Sequence, residues 1–285
     1  MILSAVEQFA ASYDERAILE RISRHWMKTL PISAIYIILV FSGKRWMKDR
    51  PKFKLRWALT LWSAALALFS MFGAWFMLVR TVKDLREFGF RYTVCDNTFL
   101  FTGHGVWLYW FCLSKIVELG DTFFIVVRKQ KLIFLHWYHH MVTLIYSCYA
   151  YGSGVAAGRY FAGVNFAIHT LMYSYYAIRA SGLVRMPRQV NITLTSLHLL
   201  QMGFGVYLNI YAYTELTSGR PCDNTWPSIY SSFLMYASYV ALFANFFYQN
   251  YLVKSKSDPK VNNNLHSGAR QNESISHQAN PKKEI

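Results

Sequence analysis

Phe134-Leu135-His136-Trp137-Tyr138-His139-His140 decides how the rest of the chain is read. It lies on the rim of an apolar segment that runs on through Met141-Val142-Thr143-Leu144-Ile145. Residues three and four apart share a helix face, so His136, His139 and His140 are expected to point the same way, about one turn apart. Imidazole takes and gives protons near neutral pH and also serves as a nucleophile or metal ligand. A lone histidine on an apolar helix is ordinarily a hydrogen-bonded core residue. Three on one face at the edge of a membrane helix point to function, because ionisable groups are costly there.

The chain around this stretch is strongly apolar. Of its 285 residues 54% are hydrophobic and 18% aromatic, while only 16% are charged, against about 25% in soluble domains. Long tracts carry no charge, which indicates an all-α, polytopic membrane protein. The net charge of +15 does not suggest nucleic acid, because the basic residues cluster between apolar spans as the positive-inside rule places them. Such clusters suit anionic headgroups or a polyanionic ligand such as coenzyme A. Met1 to Lys28 is amphipathic and mixed in charge, unlike a cleavable signal peptide.

Seven spans can be drawn with the rule of roughly 20 apolar residues per crossing. They run over Leu30 to Gly43 (extended to Met47), Trp57 to Val79, Val106 to Val127, Leu132 to Tyr151, Arg159 to Ile178, Val190 to Tyr213 and Ser228 to Val253. A polar connection, Arg80 to Gly105, separates the second and third. The most basic loops carry Lys44 to Arg56, Arg128 to Lys131, and Arg179, Arg185 and Arg188. All three lie on one side, which sets the N-terminus outside the cytosol and the C-terminus inside. Residues 1–253 then form the membrane domain. Residues 254–285 read as a disordered cytosolic tail, Asn- and Ser-rich, ending in Lys282-Lys283-Glu284-Ile285 like a dilysine retrieval signal for the endoplasmic reticulum. Cys95 and Cys222 fall in loops on the oxidising side and are expected to pair. Cys112 and Cys148 fall inside spans and read as ordinary small apolar residues.

Several polar residues are expected at one depth. With a rise of 1.5 Å per residue, His139 and Asp121 lie roughly 8 to 10 Å from the cytosolic end of their spans, and Tyr173 about 9 Å. His169 and Gln201 are somewhat deeper. The third span adds Lys115, Glu118, Asp121 and Thr122 at offsets of three and four, either as an ion-pair network or as carboxylates that orient the histidines. The fifth adds Asn165, His169 and Tyr173 or Tyr176 as a stripe at helical spacing. Convergence of these groups suggests a buried polar chamber opening to the cytosol.

Lys115-x-x-Glu118-Leu-x-Asp121-Thr122, His136-x-x-His139-His140 and His169-x-x-Met172-Tyr173-x-Tyr175-Tyr176 resemble, in order, the three signature boxes of the ELO fatty-acid elongases. The run Arg128 to His140 is similar to the type 3 and type 6 branch, type 6 most of all. One box departs: where the family has Thr-x-x-Gln-x-x-Gln, Thr195 and Gln201 match but His198 replaces the first glutamine. No catalytic role is assigned to His198.

The resemblance implies seven helices around an enclosed acyl tunnel and a 3-ketoacyl-CoA synthase without a redox cofactor. Such an enzyme joins a C16-type saturated or monounsaturated acyl-CoA to malonyl-CoA, releasing carbon dioxide and coenzyme A. Partners would be the ketoacyl-CoA reductase, dehydratase and enoyl reductase of the cycle; self-association is left open. In the implied mechanism His139 becomes an acyl-imidazole, His136 or His140 with Asp121 behind them sets its tautomer, and His169 with Asn165 stabilises an oxyanion. Spacing does not single out the nucleophile. Lys115, Glu118, Thr122, Met172, Tyr173, Tyr176 and Gln201 are supporting residues. Two rivals stand beside this reading. One is a histidine-box di-iron desaturase or hydroxylase, which needs more histidine boxes than the single tight cluster here. The other is a non-enzymatic transporter or receptor, although no internal repeat or broken helix is evident.

Overall fold

The computed structural model describes residues 14–184 and 186–253. Arg185 of the third basic loop and the tail from Lys254, with its dilysine-type end, lie outside them. The chain divides into two compact units, Met1–Phe243 and Ala244–Ile285. In the second, the described residues finish the last helix and form a π-helical turn, Tyr248–Val253, where Asn250 donates to Phe246 O at 2.8 Å.

Regular structure among the described residues is helical throughout. In order come α1 (Glu15–His25), a 3₁₀ turn (Trp26–Lys28), α2 (Thr29–Trp46), α3 (Arg56–Cys95), a second 3₁₀ turn (Thr98–Phe101), α4 (Val106–Glu118), α5 (Gly120–Val127), α6 (Phe134–Gly152), α7 (Gly158–Ser181), α8 (Arg188–Thr217) and α9 (Trp226–Phe247). Three stretches are long and apolar enough to cross a membrane by length and composition: Glu15–Trp46, Arg56–Cys95 and Trp226–Asn250.

Two of the sequence boundaries need correction. The polar connection from Arg80 to Cys95 is helical, continuing α3. Its buried charge is matched internally. Asp84, 1% exposed, receives Arg159 Nη1 at 2.7 Å, and Arg80 Nε lies 2.8 Å away at an angle that makes no hydrogen bond. Arg159, also 1% exposed, donates to Asp96 O and lies 3.9 Å over the Phe99 ring. A buried charge paired in this way no longer needs water, so the helix can carry it inside. Gly89, at φ 82° and ψ 174°, then kinks the helix at a backbone conformation that only glycine adopts readily.

The third span is likewise two helices, α4 and α5, meeting at Leu119. Gly120 permits the break to face Trp62, because a Cβ there would lie 2.7 Å from the indole. That close approach brings Trp62 to Asp121.

Packing joins helices that are far apart in the chain. α3 lies along α7, and α6 sits among α1, α2 and α4. Asp14 caps α1 by accepting from Ala17 N at 3.0 Å. The apolar face of α1, Ile18, Leu19 and Ile22, covers a core of Phe99, Leu100, Leu108, Phe111, Tyr151 and Phe166. Cys95 and Cys222 form a disulfide that closes 127 residues. A second disulfide, Cys112–Cys148, corrects the reading of those two as plain apolar residues. α4 and α6 pack closely enough to place their Cα atoms 5.3 Å apart, within disulfide reach. None of the chain's four cysteines is free.

Candidate active site

A narrow cavity of about 80 Å³ runs between α4, α6, α7, α8 and α9. One end is apolar, walled by Leu100, Leu108, Tyr151 and Val155; the other carries His139, Asn165, His198, Gln201 and Tyr239. On α6 the lining is His139, Thr143, Tyr146, Ser147, Ala150 and Tyr151, a stripe at offsets of three and four. That stripe is visible in the sequence but was hidden by the histidine cluster at its head.

The histidine cluster divides. His136 and His140, four apart, are the true co-facial pair, with ring centroids 4.5 Å apart. His136 Nε2 lies 3.0 Å from Thr122 Oγ1, which is 2.7 Å from Tyr36 OH. His139 turns toward α9, with its ring 5.0 Å from Tyr239 and 6.2 Å from Phe243. Only His139 of the three lines the cavity. The expectation that all three point one way therefore fails. At 100° per residue His140 stands near His136, while His139 falls on the flank of both. Neither ring nitrogen of His139 has a hydrogen-bond partner among the described residues. Its helix turn is steadied from outside: Tyr239 OH donates to His139 O at 3.2 Å and is 2.7 Å from Thr143 Oγ1.

Behind the cavity wall lies a closed polar knot. Lys115 Nζ donates to both Glu118 oxygens at 2.7 and 3.0 Å and to Asn165 Oδ1 at 3.0 Å. Ser114 Oγ adds a bond to Glu118 at 3.1 Å. Lys115 is 2% exposed and Glu118 3%. His169 Nδ1 stands 3.7 Å from Glu118 Oε1, longer than a hydrogen bond. Because Asn165 Oδ1 is occupied by Lys115, its amide donors are what remain for the cavity it lines.

Asp121 is not behind the histidine cluster, and that expectation is corrected. Its Oδ1 accepts from Trp62 Nε1 and its Oδ2 from Tyr173 OH, both at 2.7 Å. Those two partners stand on α3 and α7. Glu118 is the carboxylate nearest a histidine, and that histidine is His169. Of the supporting residues, Gln201 reaches the cavity. Met172 packs with Leu66, Ala67 and Tyr173, and Tyr176 is 43% exposed, so neither joins it.

The residues missed by sequence reading are Tyr36, Trp62, Thr143, Tyr146, Ser147, Tyr236 and Tyr239. Trp62 and Tyr36 gave no signal, since aromatics recur throughout the apolar spans. Among the described residues no group of three or more His, Cys, Asp or Glu side chains is arranged to hold a metal ion.

Residues 21–259 match the model of the ELO, GNS1/SUR4, family. The chain is 40% identical over 256 residues to very long chain fatty acid elongase 6 of Homo sapiens, covering 89% of this chain and 96% of that one. It is 38% identical over 255 residues to putative fatty acid elongase 3 of Caenorhabditis elegans, covering 89% and 79%. Elongase 6 of Drosophila melanogaster is 40% identical over 232 residues, covering 80% and 73%.

Proposed function

Since the chain belongs to the ELO family, as a membrane-embedded 3-ketoacyl-CoA synthase of fatty-acid elongation, we propose that it extends C16-type saturated or monounsaturated acyl-CoA through an acyl-imidazole on His139. The observation that carries the reading is the placement of His139, an imidazole without an internal partner at the polar end of an otherwise apolar cavity. One ring nitrogen attacks the thioester carbon; the C–N bond forms, the C–S bond breaks and coenzyme A leaves. Malonyl-CoA then loses carbon dioxide, its enolate attacks the acyl carbon, and the imidazole is released. The Asn165 amide, its oxygen fixed by Lys115, supplies a donor for the oxyanion. His169, behind it and near Glu118, assists. The His136–Thr122–Tyr36 chain and His140 hold the turn and provide a route for protons.

The wider architecture we assign is seven spans, with residues 1–253 as the membrane domain, the N-terminus in the lumen of the endoplasmic reticulum and the tail in the cytosol. The cavity is then a closed acyl tunnel whose apolar end at Leu100, Leu108 and Tyr151 receives the chain terminus. The basic rim of Lys44 to Arg56 and Arg128 to Lys131 receives the coenzyme A phosphates. The reductases and dehydratase of the cycle act on the product.

The test uses purified protein with palmitoyl-CoA and labelled malonyl-CoA and no NADPH. 3-Ketostearoyl-CoA, formed by the wild type and lost in His139→Ala, is the expected result. No product from folded protein across a range of chain lengths would refute the substrate assignment.

A further inference from the structure

His198, on α8, lines the same polar end of the cavity as His139. Both rings pack on Phe243. His139 meets it edge-on at 6.2 Å, and His198 stacks on its face at 5.6 Å with 12° between the planes. His198 Nδ1 is 2.7 Å from Leu194 O. A carbonyl oxygen only accepts, so Nδ1 must carry the ring proton. The Nε2 lone pair is then an acceptor, and it has no partner among the described residues. Stack and hydrogen bond together fix both the ring plane and the tautomer. One turn along α8, Gln201 Oε1 is buried without a donor. This face of α8 therefore presents acceptors to the cavity and receives nothing back. A polar atom left so is costly until a ligand supplies the missing hydrogen.

We infer that His198 Nε2 accepts a hydrogen bond from the pantetheine amide N–H nearest the thioester sulfur, and so positions the thioester carbonyl against His139. The inference rests on the acyl-CoA reading above. Close to the reacting carbon an acyl thioester of coenzyme A is rich in acceptors, and that amide is its nearest N–H. It lies two carbons from sulfur, on the side of the reacting carbon away from the acyl chain. His198 is thus a substrate-positioning residue that marks the carrier, not the chain. A glutamine at this position keeps an acceptor oxygen, whereas an apolar aromatic does not.

The test pairs substrate and side chain. Palmitoyl-CoA is compared with its analogue in which that amide is an ester, the N–H replaced by oxygen, in condensation with malonyl-CoA. The wild type should prefer the amide by about tenfold or more in kcat/KM. His198→Phe should treat the two alike, at the level of the wild type on the ester, and His198→Gln should keep the preference. Equal handling of both substrates by the wild type, or a preference that survives in His198→Phe, overturns the inference. Should His198→Phe fail to fold, loss of the preference in His198→Gln overturns it equally. A wild type that does not condense palmitoyl-CoA at all refutes the acyl-CoA reading instead, and takes this inference down with it.

Discussion

Two groups of buried polar side chains stand on either side of one cavity wall, and they differ in saturation. In the knot of Lys115, Glu118, Ser114 and Asn165 the ammonium and the carboxylate are both matched by hydrogen bonds. At the polar end of the cavity, His139 has no side-chain partner, His198 has one nitrogen satisfied, and Gln201 leaves its oxygen bare. A saturated group has its bonding capacity spent on the fold. An unsaturated one, aimed into empty space, is left for a ligand. The difference separates framework from chemistry where residue type alone cannot.

The sharpest way to break this comparison is to remove one member of each group. His139→Ala should lower condensation by about 10³-fold or more while the thermal midpoint in detergent stays within the scatter of the wild type. Lys115→Met should do the reverse first, leaving Glu118 as a buried uncompensated charge. The expected loss is about 3–5 kcal/mol, read as a fall in the unfolding midpoint. Adding Glu118→Leu should recover most of it. Equal damage in the single and double variants would show that the pair is not a closed unit.

Smaller effects test the far end of the molecule. Opening the Cys95–Cys222 bond with Cys95→Ser releases a closure of 127 residues and should cost about 2–4 kcal/mol. The least effect belongs to Glu215, at the polar end of α8 beyond Tyr213. Arg220 foremost, and Arg91, hydrogen-bond to it and hold its carboxyl down to about 2. A carboxyl lowered on folding stabilises above its ordinary value of 4.5, and that stabilisation is lost as pH falls from there toward 2. The thermal midpoint of the wild type should drop over that interval more steeply than that of Glu215→Gln. Parallel slopes would mean that the clasp contributes nothing.

The sequence showed the helices well where apolar length decides them and poorly where burial is bought by pairing. Arg80 and Asp84 read as a loop because charge normally means water. Only the structure shows Arg159 arriving from α7 to match Asp84. The histidine cluster was legible as chemistry, since three imidazoles at a membrane rim have few other uses. Which of them faces the substrate was not, because an offset of three or four leaves up to 60° of doubt and the cavity wall falls within it. Asp121 was misplaced for a similar reason: its partners, Trp62 and Tyr173, stand on other helices and leave no periodic signature. His198 was given no catalytic role because it stands where the family's box has a glutamine. Its tautomer, fixed by Leu194 O, is a tertiary fact.

The central claim is that His139, the unsaturated imidazole on the cavity wall, takes the acyl group. The most direct measurement incubates purified protein with palmitoyl-CoA alone, traps it in acid, and combines peptide mass spectrometry with assay of free coenzyme A thiol. The expected result is a palmitoyl group on His139 with one equivalent of coenzyme A released, both absent in His139→Ala. Condensation that proceeds on adding malonyl-CoA although no acyl adduct ever forms, or an adduct on a residue of the saturated knot, would contradict it.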